Sequence, residues 1–175
     1  MNITIYNNIN SENLEKLDII KFDAIKSYLK IDDDSDNDLI NEICDAAIEY
    51  AEHFLNIKIN PVKFTLTYSK VFQENIILPH AKILSLESVF IDSYGEYKLL
   101  DQKYYKLIGR TVSFKFPVYS DHLEISYTTG FKSAKDIPNM IKQGILAHIK
   151  GIYYHEQNHL DKVHNYYTPF IEYRL

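Results

Sequence analysis

An α+β fold is the architecture this 175-residue sequence predicts, on three observations. Apolar residues recur at helical spacing over residues 38–56 and again over 138–157. Between them, from Val62, the pattern becomes alternation in short β-rich runs. The turn signals that separate those runs suit antiparallel hairpins rather than βαβ crossovers. Together they predict a small helical core, made of two short N-terminal helices plus a long C-terminal helix, with an inserted antiparallel β-subdomain and an extended C-terminal tail. The length suits one core that carries a compact subdomain.

Residues 1–22 form a polar arm whose one alternating run is "NITIY", and the arm is expected to be loosely held. Residues 23–60 are the first helical part. Asp23 is placed to cap a short helix over "AIKSYLKI", and "DDDSDND" follows. Leu39, Ile40, Ile43, Ala47, Ile48, Ala51, Phe54 and Leu55 then make a stripe with acids on the opposite side, so this helix buries one face. Pro61 closes the helical part. Over 61–130 the runs "VKFTLTY", "NIILP", "SVFID", "EYKLL", "YYKLI", "TVSFKF" and "HLEISYTT" predict six or seven strands, with turns at Ser93-Tyr94-Gly95, Gly109-Arg110 and Ser120-Asp121. Asp136 and Pro138 start the long helix of 131–160, in which Ile141, Ile145, Ile149 and Ile152 keep one face. Residues 161–175 carry Pro169 and an aromatic-rich end without a period, which reads as a tail with something to bind.

Composition excludes several classes of function. No apolar stretch of about 18 residues is present to span a bilayer, and the first residues lack the basic and apolar regions of a targeting peptide, so no membrane association is expected. The single cysteine, Cys44, rules out an intramolecular disulfide and reads as a small buried helix residue. A net charge of −5 with scattered lysines argues against a dedicated nucleic-acid grip. Fifteen tyrosines and nine phenylalanines with no tryptophan leave aromatic residues either to fill cores or to anchor interfaces.

Two motifs invite metals. His155, Glu156 and His159 spell H-E-x-x-H, which on a helix would put both imidazoles on one zinc with Glu156 beside its water. A third ligand is missing: the extended form of the motif would need glycine and histidine where Lys162 and Asn165 stand, and Glu172 lies in the unpatterned tail. "DDDSDND" starts like a calcium loop through Asp32, Asp34 and Asp36, but Asn37 replaces the turn glycine and Ile43 the bidentate glutamate. The structural role explains more: Asp34, Ser35 or Asp36 as an N-cap, with acids on the positive end of the helix dipole. No cofactor or metal is expected, and no catalytic constellation is supported.

Three stretches in order carry a family resemblance. "DAIKSYLKIDDDSDNDLINEICDAAIEYAEHFLN", with its Leu29-Lys30-Ile31 run, acids, Leu39-Ile40 helix and Ala46-Ala47 pair, resembles the opening of the phage head-tail connector family. These are head-completion adaptors of long-tailed phages and gene transfer agents. "LEISYTTGFKSAKDIPNMIKQGILAHIKGIYYHE" is similar to the family's strand, Thr-Gly-aromatic turn, Ile-Pro and final helix, and "YTPFIEYRL" to its aromatic-basic end. In that register His155 and Glu156 fall at an ordinary helix end.

The resemblance implies a non-enzymatic structural protein of the virion. It implies a ring of copies, twelve in the particle, beneath the portal protein at the head-tail interface. Such a ring extends the DNA channel without sequence-specific contact to the passing genome and receives a stopper or tail-terminator protein; before that its subunits are in the bacterial host cytoplasm. The tail is expected to dock on the portal through Tyr166, Tyr167, Phe170, Ile171, Tyr173 and Arg174. Two alternatives belong to other classes: a zinc-dependent hydrolase using His155, Glu156 and His159, and a free-standing binding module whose β-region holds the site. Metal content separates the first from the others, and ring formation the second.

Overall fold

The computed structural model describes residues 8–14, 16–93 and 95–171, and the fold is α+β. It has two compact units: a sheet unit of Met1–Lys16 with Asn60–Phe131, and a helical unit of Leu17–Ile59 with Lys132–Leu175.

The helical unit holds α1 (Phe22–Leu29), α2 (Asn37–Leu55), α3 (Asn139–Tyr153) and α4 (His159–Tyr167). Most of the stripe read from the sequence is the face that packs: Ile40, Ile43, Ala47, Ala51 and Leu55 of α2 are buried, as are Ile141, Ile145 and Ile149 of α3, and the two helices are in contact, whereas Leu39, also read as part of the stripe, is 50% exposed. Burying each such side chain contributes about 1.5–3 kcal/mol. Two left-handed residues end the first helices, Lys30 at φ 58° and Asn56 at φ 54°, each turning its N–H back onto the last carbonyls. Asp23 is not the cap of α1, because the helix starts two residues earlier, at Phe22, and Lys21 takes that position; Asp23 instead lies in the first turn, where a carboxylate favours the helix dipole.

The sheet unit is one curled antiparallel sheet in the order β1-β2-β6-β3-β4, with β5 on a second stretch of β6. The strands are β1 (Asn8–Asn13), β2 (Val62–Ile77), β3 (Ile83–Ser93), β4 (Glu96–Leu99), β5 (Tyr105–Ile108) and β6 (Thr111–Thr129). Alternation puts Val62, Phe64, Leu66 and Tyr68 of β2 inside with Leu123, Ile125 and Tyr127 of β6. Gly130, at φ 123°, closes the unit: a Cβ there would lie 2.5 Å from the Asn60 carbonyl oxygen, so only glycine allows this approach. Beside it, the Thr129 hydroxyl donates to the Ala81 carbonyl (2.5 Å).

Several expectations are corrected. The arm is held over Asn8–Asn13, which pairs with Val62–Thr67 as an edge strand; the run at residues 2–6 lies outside the described residues. "VKFTLTY" and "NIILP" are one strand, as are "TVSFKF" and "HLEISYTT", the alternation being interrupted rather than ended by Lys70 (φ 54°) and by a bulge opposite Gln73–Asn75. No turn forms at Ser120-Asp121. The buried Ser120 hydroxyl exchanges hydrogen bonds with the Asp92 backbone (3.0 and 2.8 Å), which keeps β6 running past β3. The expected long helix stops at Tyr153, and part of the expected unpatterned tail is α4.

Because an unpaired buried carboxylate costs several kcal/mol against a total of roughly 5–15 kcal/mol, Ile43→Asp and Ile145→Asp should each abolish cooperative thermal melting. Leu39→Asp, at a half-exposed position of the same helix α2, should leave the Tm within a few degrees of the parent.

Candidate functional site

The C-terminal part of the helical unit is built on two glycines. Gly144 and Gly151 stand two turns apart on α3, and the rings of Tyr167 and His159 from α4 lie against them; an added Cβ would come within 2.2 and 2.3 Å of those rings. On α4 the residues His159, Val163 and Tyr167 recur every fourth position, and Val163 and Tyr167 are fully buried. Between the glycines on α3 lies His148, 6% exposed. From α2, Tyr50 meets the His148 ring edge-on at 4.6 Å, and Phe54 stacks on His164 at 4.4 Å. The Tyr50 hydroxyl bonds His164 Nε2 at 2.6 Å.

This interface is polar where a helix core is usually apolar. His148 Nδ1, His159 Nε2 and the Tyr167 hydroxyl are buried without a hydrogen-bond partner among the described residues, each a destabilising omission of about 1–3 kcal/mol. Burial, then the neighbouring His159 and His164, pull the pKa of His148 down to about 4, and burial raises that of Tyr167. His148 is therefore held neutral in the folded chain.

The H-E-x-x-H residues do not share a helix face. His155 has a left-handed backbone (φ 51°) in the break between α3 and α4, and its side chain is exposed. Glu156 faces Lys150 at 3.7 Å, while His159, the first residue of α4, turns Nδ1 back onto the Glu156 carbonyl (2.9 Å). The i/i+4 geometry that would bring two imidazoles to one zinc is broken by two positive φ angles, at His155 and Asn158. The acidic run is closed on itself. Asp33 accepts from Ser35, which holds its pKa down, and Asp34 accepts from Lys26 Nζ at 2.6 Å with the same effect. Asp36 takes the cap position of α2 without a side-chain bond to the helix; its carboxylate receives the Tyr153 hydroxyl (2.5 Å), whose pKa is pushed up to about 12 by that bond.

Of the residues expected in the docking tail, Tyr166, Phe170 and Ile171 are half-buried, Tyr167 is fully buried on Gly144, and Tyr173 and Arg174 lie outside the described residues. A one-turn 3-10 segment, Thr168–Phe170, follows α4, with the Thr168 hydroxyl donating to the His164 carbonyl (2.8 Å). Sequence reasoning missed His148 and the role of Gly144 and Gly151; the signal available was the seven-residue spacing of those glycines.

The family described as "Phage gp6-like head-tail connector protein" matches residues 19–126, more than half of the chain. The chain belongs to that family. It is thus a structural head-tail connector protein of phage type. Solved structures similar in fold include a chain of "Neck of empty GTA particle computed with C6 symmetry", at TM-score 0.74 and 13% identity over 95% of this connector and 97% of that chain. Another is in "Virion of native gene transfer agent (GTA) particle", at TM-score 0.72 and 14% identity over 94% and 96%. A third is in "Neck of native GTA particle computed with C12 symmetry", at TM-score 0.67 and 15% identity over 95% and 97%. None of the curated proteins compared with the connector matches it. Among its described residues no helix is long and apolar enough to cross a membrane, and no three His, Cys, Asp or Glu side chains converge to hold a metal.

Two outcomes test this site. A histidine whose folded pKa is depressed binds fewer protons than in the unfolded chain, so its contribution is complete above about pH 6.5 and is lost as pH falls toward about 4. Urea titrations should show stability declining across that window by a few kcal/mol, at about 1.4 kcal/mol per unit, and the decline should flatten in His148→Leu. Separately, His155→Ala should be neutral within about 0.5 kcal/mol and His159→Ala should cost about 1–2 kcal/mol. Equal costs in thermal melts would show that the two histidines act together after all.

Proposed function

We propose that this connector forms a ring, twelve copies in the particle, at the head-tail interface of a virion, beneath the portal. There it extends the DNA channel and receives a stopper or tail-terminator protein. The observation that carries this reading is membership of the connector family over residues 19–126. Likeness of fold to chains from necks computed with C6 and C12 symmetry supports a ring. The net charge of −5 suits a channel wall that packaged DNA passes without being gripped. The role is non-enzymatic, and subunits wait in the bacterial host cytoplasm until the head is filled.

Docking on the portal falls to the end of the chain, through Tyr166, Phe170, Ile171, Tyr173 and Arg174, with Tyr167 as the anchor that keeps α4 seated. The half-exposed Phe170 and Ile171 follow a helix fixed through Gly144, so the segment leaves a rigid base. A single tail needs only modest affinity, because many copies engaging one portal multiply it.

A chain ending at Pro169 keeps Tyr167 and should retain the parent's Tm. It should fail to co-sediment with portal rings and leave filled heads without tails, as should Phe170→Ser combined with Arg174→Glu. Decoration of portals at parental stoichiometry by both variants would move the docking surface elsewhere.

A further inference from the structure

The sheet unit carries an apolar surface that its own core does not use. Between Gln73↔Val118 and Asn75↔Ser113 the register of β2 and β6 shifts, so that Glu74 alone opposes residues 114–117. Pro117, with no N–H to give to the ladder, sits in that bulge. The bulge turns Phe116 outward, and the cross-strand pair Phe72 and Tyr119 lies beside it. These three rings are 70, 67 and 73% exposed. At about 150–250 Å² per aromatic side chain they present roughly 400 Å² of apolar surface to solvent. Phe116, Pro117 and Tyr119 also line, with Ile91, Leu100 and Tyr104 among others, a groove of about 230 Å³. A patch of this size is about half of one partner's share of a standard interface, and fits its apolar centre.

Charge indicates what covers it. Residues 17–59 and 132–175 hold ten Lys and Arg against fifteen Asp and Glu, the whole net charge of −5; residues 1–16 and 60–131 hold nine of each. In the stretches that carry the patch the balance is positive: residues 70–77 and 101–121 hold five basic and three acidic side chains, and Lys70 and Lys115, within two residues of Phe72 and Phe116 along their strands, are exposed. The helical unit presents the complement. Along α2 the exposed Asp38, Glu42, Asp45 and Glu49 recur at i, i+4, i+7 and i+11, with the half-exposed Leu39 and the exposed Ala46 among them. One surface is aromatic and basic, the other acidic with small apolar residues.

We infer that the Phe72–Phe116–Tyr119 patch of one copy packs on the acidic outer face of α2 in a second copy of this chain. The two surfaces differ, so the contact is head-to-tail and repeats from copy to copy until the rotation closes a ring. The aromatic rings supply buried area, and Lys70 and Lys115 set orientation against Glu42 and Glu49. This inference rests on the connector reading and adds the surface through which neighbours meet.

Disulfide trapping in assembled particles tests it, using chains with Tyr119→Cys and Glu42→Cys in a Cys44→Ser background. With both cysteines on each chain, oxidation should give a ladder of dimers, trimers and larger species on a non-reducing gel. Chains with either cysteine alone, mixed, should stop at dimers. Particles that contain the protein and keep their tails but show no intermolecular band, or only an intrachain bridge, overturn this contact and leave the connector reading standing. Particles that assemble with no copy of the chain remove the connector reading and this contact together. Charge reversal gives an independent readout: Lys70→Glu with Lys115→Glu should lower the copies retained per particle about tenfold, and adding Glu42→Lys with Glu49→Lys should restore them. If the second pair of changes deepens the loss, the patch faces another component of the virion and the proposal fails.

Discussion

The helical unit depends on the absence of two side chains. Gly144 and Gly151 leave α3 flat where Tyr167 and His159 arrive, and this lets α4 lie close enough for Val163 to be fully buried. A methyl group at either position would meet an aromatic ring well inside van der Waals distance. From that constraint the rest follows: α4 is aligned by two contacts two turns apart, His164 is brought onto Phe54 and Tyr50 of α2, and the chain beyond Tyr167 starts from a defined place.

The same close packing explains why the interface tolerates histidines. The His159 ring lies flat enough to fit over Gly151, and His148 meets it at a tilt of 33° while Tyr50 closes the cluster edge-on. The arrangement carries three buried polar atoms without partners among the described residues, so α4 is held by shape more than by hydrogen bonds.

Those features also mark where a sequence is readable. The α2 stripe was legible because Ile40, Ile43, Ala47, Ala51 and Leu55 form the buried face and repeat at helical spacing, and the start of β2 because Val62, Phe64, Leu66 and Tyr68 alternate. Strand lengths were not, since Lys70 in a left-handed conformation and Pro117 in a bulge look like breaks and are irregularities within continuous strands. The helix α4 was hidden for another reason: its partners on α3 are glycines, which contribute nothing to a hydrophobic pattern. H-E-x-x-H could be doubted from its missing third ligand, but its real defect, a left-handed residue at His155, is a backbone property that no spacing records. Family membership was legible in the first of the three stretches, residues 23–56, which lies wholly within the family match over 19–126.

The pairing of Val62 with Thr129 at one end of the sheet has a consequence for how the chain folds. Residues 56–138 separate α2 from α3 along the sequence, a loop whose closure in an unstructured chain is entropically unfavourable. Once β2 and β6 are in register, the two points where the chain enters and leaves the sheet are neighbours, and the effective connection between the helices shrinks to a few residues on either side. The inserted sheet is then a clasp: once it is formed, the two halves of the discontinuous helical unit can meet as though adjacent in sequence.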